Sequence, residues 1–349
     1  MAQHPITSVN VSSFGPFQDV ELDLAPGVNV IVGDNATGKS QLLKLLYSCT
    51  KSLKDAETLT KKDLAGDVAS KLVGAFRPES LGRLTRRVQG RGRADVGVKY
   101  AGIGDPLRFD FSSHAKREVA IRNAPGRSLE DEPVFLPAHE LLTLAPWFIG
   151  LYDAYATGFE ETWRDTVELL MRPALRGPRG QQANDVLQHI AELLDGGTVV
   201  EWDGKFYLKQ PGLGNLEASL LAEGQRKLAM IVRLISNGVL LRGGYLFWDE
   251  PEANLNPASQ RAVARALVHL ARTGPQVVVA THSMFMLREL QMSSDEIEPR
   301  YIGLSRRLEP DQPLAAAEVV AQVSDDLDTL DYVAALEAEA EQASRYLAW

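Results

Sequence analysis

The chain has 349 residues, 45% hydrophobic and 24% charged, enough apolar material for a large buried core in one or two domains and unlike a disordered or collagen-like chain. One cysteine, Cys49, excludes a disulfide framework or cysteine-rich zinc site. No apolar run nears the roughly 18 residues of a membrane span and MAQHPITSVN does not read as a signal peptide, so a cytoplasmic protein is expected.

In chain order, Ile6 to Val32 alternates as a hairpin does: ITSVNVSS, a Gly15-Pro16 turn, FQDVELDL, then Pro26-Gly27 and a buried strand VNVIV. A Gly-rich loop and an amphipathic helix follow, with Leu42, Leu43, Leu45 and Leu46 on its apolar face. Residues 51–130 are mixed, with strands expected near 95–100 and 107–111, and Val134-Phe135-Leu136 reads as a further buried strand. Residues 151–195 are helical in pattern, and TVVEWDGKFYLKQ forms a hairpin around Asp203-Gly204. Helix 220–237, strand 245–249, helix 257–272 and strand 276–280 then alternate as in an α/β sheet. Residues 308–349 hold ten acids against the single base Arg345, so the whole formal charge of −9 resides there. Leu327, Leu330, Val333 and Leu336 lie at helical spacing, which predicts an acidic amphipathic tail helix. Such a helix would pack on its own domain, dock a basic partner, or fold over an Arg-rich loop.

Chemistry concentrates in two places. Gly33-Asp34-Asn35-Ala36-Thr37-Gly38-Lys39-Ser40 matches G-x-x-x-x-G-K-[ST] between a predicted strand and a helix. Glycines let backbone N–H groups curl around a phosphate, and the helix dipole adds positive potential. Lys39 would reach the β- and γ-phosphates and Ser40 would ligate Mg²⁺. Downstream, the apolar strand Tyr245-Leu246-Phe247-Trp248 ends in Asp249-Glu250, where an open α/β sheet presents groups to its ligand. Asp249 would support the metal and Glu250 would orient and deprotonate an attacking water.

Together with Leu221-Ala222-Glu223-Gly224-Gln225, Asp249-Glu250-Pro251-Glu252-Ala253-Asn254-Leu255-Asn256-Pro257 and Ala280-Thr281-His282-Ser283, the phosphate loop resembles the four ordered motifs of ABC-type ATPases. These are Walker A, the signature, Walker B with its D-loop, and the switch histidine. The wording DEPEANLNP is most similar to the SMC, RecF and OLD group, as in stand-alone heads of bacterial anti-phage defence modules. VFLPAHELLTL, residues 134–144, resembles the segment after a core strand in that group.

The resemblance implies an α/β head: an antiparallel N-terminal β subdomain, a mixed core sheet, a helical lobe over about 145–243 and an insertion over about 51–130. The head would end near 307, with a separate acidic helical tail over 308–349. It implies an ATPase using ATP and Mg²⁺ and closing as a homodimer. The loop residues 33–40 and Gln41 of one chain would face Glu223, Gly224 and Gln225 of the other. His282 would bind the γ-phosphate and Asn256 would cross the interface. Two departures stand out: Ala222 replaces the signature serine, and Ala36 replaces a common glycine, which requires negative φ. No Q-loop glutamine is assigned, since Gln89 falls in an Arg-rich loop and strand 134–136 leads into Pro137-Ala138-His139-Glu140. His139-Glu140 is not a zinc helix, because Thr143 stands where the second histidine would.

Arg83, Arg86, Arg87, Arg91 and Arg93 crowd an acid-free stretch. They would contact nucleic-acid phosphates without base reading, or form a solvated or protein-docking loop. The expected function is nucleotide-gated dimerisation regulating a separate effector, with a nuclease among the candidates. A RecF-like repair ATPase using the Arg loop and a slow-turnover assembly scaffold are the alternatives.

Overall fold

The computed structural model describes residues 2–87, 90–155, 157–191, 194–241, 243–293, 297–307, 318–331, 333–347 and 349. The opening hairpin is β1 (Ile6–Phe14) and β2 (Phe17–Asp23), with Ile6, Val9, Val11, Phe14, Phe17, Val20 and Leu22 turned inward. β3 (Val28–Gly33) runs into the phosphate loop and α1 (Lys39–Asp55). Next come α2 (Lys61–Phe76), β4 (Arg93–Tyr100), β5 (Leu107–Ser112), β6 (Ala120–Asn123) and β7 (Pro133–Leu136). The lobe holds α3 (Ala145–Ala154), α4 (Glu161–Met171), α5 (Pro178–Ala191), strands β8 (Thr198–Trp202), β9 (Lys205–Gln210) and β10 (Gly214–Glu217), and α6 (Glu223–Ser236). β11 (Tyr245–Asp249), α7 (Pro257–Thr273), β12 (Gln276–Thr281) and α8 (Met284–Gln291) follow. β13 (Arg300–Arg307), β14 (Glu318–Ser324) and α9 (Ala334–Leu347) end the chain.

Among the described residues one eleven-stranded sheet runs in the order β6-β5-β4-β1-β2-β14-β13-β3-β12-β11-β7. Strands β13, β3, β12, β11 and β7 are parallel. β3, β12, β11 and β7 are largely apolar because helices cover both faces, as buried parallel strands require, whereas β13 ends in Ser305-Arg306-Arg307. Successive residues of one strand therefore enter different cores. Leu246 and Trp248 pack under α4, α6 and α7, whereas Tyr245 and Phe247 pack with α1 and the antiparallel half.

The α/β architecture matches expectation. Residues 51–130, expected as an insertion in the head, form part of its main sheet: β4 pairs with β1, with Val9 opposite Val98, and β5 and β6 extend that half. Within the lobe the expected hairpin about Asp203-Gly204 forms as β8–β9, and β10 extends it into a second sheet whose Phe206 lies under the Arg233 guanidinium at 5.3 Å. The expected separation of a tail at 308 is corrected. β14 pairs antiparallel with β13 across Tyr301–Arg307 and meets β2 at Val319 opposite Phe17, joining the two halves of the sheet.

The predicted tail helix is also corrected. Leu327 starts a 3-10 turn, Leu327–Thr329, capped where Asp326 accepts from the Asp328 amide at 3.0 Å. Leu327, Leu330 and Val333 are buried in the core ahead of α9, and the Leu336 side chain is outside the described residues, as are Glu309 and Asp311. Short Asp side chains that bond nearby amides favour turns over helices, and burial of three apolar groups fixes the turn. Truncation after Val333 is expected to cost under about 1 kcal/mol in urea unfolding, whereas truncation after Arg307 strips the β13 edge and loses several kcal/mol, on the order of 3 or more.

Candidate nucleotide site

Parallel pairing sets the site. Val28–Val32 of β3 align with Val277–Thr281 of β12, and Tyr245–Asp249 of β11 align with Gln276–Ala280, so Gly33, Asp249 and Thr281 emerge at one edge. The loop after Gly33 turns tightly against β13: a Cβ on Gly33 would fall 2.2 Å from the Leu304 carbonyl oxygen. Thr37 Oγ1 donates to Asp34 O at 2.8 Å, and Lys39 Nζ lies back over the loop, donating to the carbonyls of Gly33 at 2.7 Å and Asp34 at 2.9 Å. Gly38 opens α1 at φ 96 with no side-chain cap, so the first-turn N–H groups remain for an anion. Ala36 stands at φ 61, opposite in sign to what its side chain prefers.

Ser40 Oγ donates to Asp249 Oδ1 at 3.0 Å. Burial raises the Asp249 carboxyl above the ordinary range, against the Ser40 bond, and Glu250 pushes it the same way. Burial lowers Lys39, opposed by Glu250, Asp249, Asp34 and Glu252. Glu250 sits at φ 46 with its amide on Ala280 O at 2.8 Å. His282 Nδ1 stands 3.4 Å from Glu250 Oε1 and 3.6 Å from Glu252 Oε1. Glu252, to which the motif wording assigns no role, is 5% exposed. It accepts from Thr281 Oγ1 at 2.6 Å and the His282 amide at 3.0 Å, orienting the histidine.

The signature residues gather a second group. Asn254 Nδ2 donates to Glu223 Oε1 at 3.2 Å, and a Cβ on Gly224 would meet Ser259 Oγ at 3.0 Å. Gln225 Oε1 folds back to its own helix, accepting from the Ala222 amide at 3.4 Å. Asn256 caps α7, its Oδ1 taking the Ser259 amide at 2.9 Å, and Gln41, expected beside the nucleotide, has its amide against Gly15 in the β1–β2 turn. Lys227, fully buried, joins the two groups. It donates to Pro251 O at 3.4 Å and Ala253 O at 2.7 Å, tying the signature helix to the D-loop. A lysine six residues past the signature leucine was the only available sign of it, and most such lysines are solvated.

Gln89 lies outside the described residues. The segment after β7 instead faces the signature helix, with Glu140 Oε1 3.4 Å from Arg226 Nε. The Arg loop is largely engaged within the chain. Arg83 pairs with Glu79 at 3.0 Å, Arg86 donates to Pro16 O at 2.5 Å, and Arg93 shares buried Asp110 with Arg122. Arg87 and Arg91 are exposed.

The family model described as AAA domain, putative AbiEii toxin, Type IV TA system, matches residues 106–288. The chain belongs to this AAA ATPase family. A second model, AAA ATPase domain, matches residues 5–73. Residues of the chain are 37% identical over 59 residues to the DNA replication and repair protein RecF of Clostridium botulinum (strain Eklund 17B / Type B), covering 17% of this chain and 16% of that protein. They are 35% identical over 85 residues to the lipoprotein-releasing system ATP-binding protein LolD 2 of Caulobacter vibrioides, covering 23% and 36%. The matches thus span well under half of these relatives' length. In fold the chain is similar to an SMC head bound to the C-terminal winged-helix domain of ScpA, at TM-score 0.52 and 14% identity over 91% of this chain and 97% of that one. The Smc head from Pyrococcus furiosus, with an extended coiled coil and bound to the ScpA C-terminal domain, gives 0.52 and 13% over 92% and 96%. The chain thus shares the P-loop α/β fold of SMC heads. Among the described residues no helix is long and apolar enough to cross a membrane.

The donor set fits Mg²⁺ bound with a nucleotide. No group of three or more His, Cys, Asp or Glu is placed to hold a metal among the described residues, while Ser40 and Asp249 supply the one hydroxyl and one carboxylate that such an ion takes beside phosphate oxygens. A carboxyl whose folded pKa exceeds its unfolded value binds more protons when folded, so ionised Asp249 weakens the nucleotide-free protein above the unfolded value near ~4. Asp249→Asn is expected to raise the melting temperature at pH 7 without nucleotide, the gain shrinking as pH falls towards ~4. The same variant should lose most of the Mg²⁺-dependent part of nucleotide binding in calorimetry.

Proposed function

We propose that the protein binds and hydrolyses ATP with Mg²⁺ and uses the cycle to open and close a homodimer that regulates a separate effector in a bacterial defence module. The observation that carries this reading is the convergence of Ser40, Asp249, Glu250 and His282 on the uncapped start of α1. Bound Mg²⁺ would neutralise phosphate charge beside Ser40 and Asp249. The loop amides of residues 33–38 would cradle the phosphates, and Lys39 would leave its carbonyls for them. Glu250 would accept the proton of the attacking water, while His282, held by Glu252, would hydrogen-bond the γ-phosphate. In a dimer the Glu223–Gln225 segment would face the partner's nucleotide, with its own D-loop beside it. The toxin-system description of the matching family supports the defence role. The repair reading has the RecF segment behind it, but that segment spans only 17% of this chain, and Arg83, Arg86 and Arg93 each already hold a partner within the chain.

The test is the mass of Glu250→Gln in solution by light scattering, with and without Mg²⁺·ATP, beside turnover of both proteins. Turnover is expected to fall at least about 100-fold while ATP still binds and the mass doubles. A variant that binds ATP and stays monomeric would end the homodimer reading. Absence of ATP binding by the wild type would end the ATPase reading itself.

A further inference from the structure

The phosphate loop carries a conformational problem that its own residues do not solve. Ala36 is held at φ 61, a region that a Cβ disfavours and glycine accepts. A succession of right- and left-handed residues of this kind is what points consecutive backbone N–H groups into one concavity, an anion-binding nest. Left to itself, Ala36 would relax to negative φ and the concavity would open.

The restraint comes from β13. Leu304 pairs with Gly33, so β13 continues past the strand end alongside the loop, and Arg306 is placed beside it. Arg306 Nη2 donates to Asn35 O at 3.2 Å and to Ala36 O at 2.8 Å. These are the two carbonyls flanking the left-handed residue's own peptide units, and tying them outward keeps the amides facing in. The arm that carries the guanidinium is itself fixed, because Arg306 pairs with Val319 and Val319 with Phe17 across β14 and β2.

We propose that Arg306 is a positioning residue of the nucleotide site: by binding the Asn35 and Ala36 carbonyls it holds Ala36 left-handed and so keeps the loop amides converged on the phosphates. This rests on the reading that the loop binds a nucleotide. Arg306 does the work that glycine at position 36 would do without help, and the pair Ala36–Arg306 is a replacement for that glycine. The charge sits on the outer side of the loop, so its effect is on affinity more than on the chemical step.

The coupling between the two positions tests this directly. ATP and ADP dissociation constants with Mg²⁺ are measured by calorimetry for wild type, Arg306→Gln, Arg306→Lys, Ala36→Gly and the double variant Ala36→Gly/Arg306→Gln. Loss of the charge-assisted bonds in Arg306→Gln is expected to weaken binding about tenfold. The double variant should bind to within about threefold of Ala36→Gly alone, because glycine adopts positive φ unaided. Arg306→Lys, which keeps a donor without the planar fork, should fall between. Without nucleotide, amide exchange at residues 35–38 should quicken in Arg306→Gln and to a lesser degree in Arg306→Lys. If Arg306→Gln costs the same affinity with alanine or with glycine at position 36, or costs none, the inference is overturned while the nucleotide site stands. Failure of the wild type to bind either nucleotide would overturn the site and this role together.

Discussion

Three parallel strands in register carry the site. β3, β12 and β11 are buried on both faces, so their pairing cannot slip without exposing Val, Ile and Trp side chains on one side or the other. Because Val28 lies opposite Val277 and Tyr245 opposite Gln276, the strands end level, and Gly33, Asp249 and Thr281 arrive together. The 3.0 Å bond from Ser40 to Asp249 is a consequence of that register, although 209 residues separate the two. Everything chemical in the chain hangs from the edge where these strands stop.

The charges of the site stand against one another. Asp249 is buried beside Glu250, and Lys39, itself disfavoured by burial, lies on backbone carbonyls instead of on either carboxylate. Glu252 is buried with one oxygen on Thr281 and the His282 amide and the other, Oε2, without a hydrogen-bond partner among the described residues. Two basic side chains from outside the motifs keep the strained loops in place meanwhile: Lys227 on the D-loop carbonyls, near Glu250 at φ 46, and Arg306 on the phosphate loop.

The lobe and the phosphate-loop helix are not independent. Tyr47 of α1 donates to buried Asp165 of α4 at 2.6 Å, Lys71 of α2 reaches the same carboxylate at 3.0 Å, and Lys44 pairs with Glu160. Buried charges left unpaired are costly, so this contact resists separation of α4 from α1. That ties the lobe next to the signature helix to the start of the nucleotide site through side chains the motif wording does not contain.

Motifs and core strands were legible because their signals are local. Gly33–Ser40 and Asp249–Asn256 are contiguous, and VNVIV, YLFW and VVVAT announce strands buried on both faces. β14 was missed because acidic composition dominated the reading of residues 308–349, while its apolar residues matter only once β13 and β2 lie beside it. The Arg loop looked like a free basic patch because Pro16 and Asp110, which hold Arg86 and Arg93, lie far off in sequence. Residue order was enough for the phosphate loop, the carboxylates after β11 and the α/β class, since each depends on residue type at short spacing. Packing chose which residues hold them. Whether Ala36 could stand at positive φ, where Gln41 directs its side chain, and which lysine and arginine brace the loops follow from contacts across 24 to 271 residues, where sequence spacing carries no geometry.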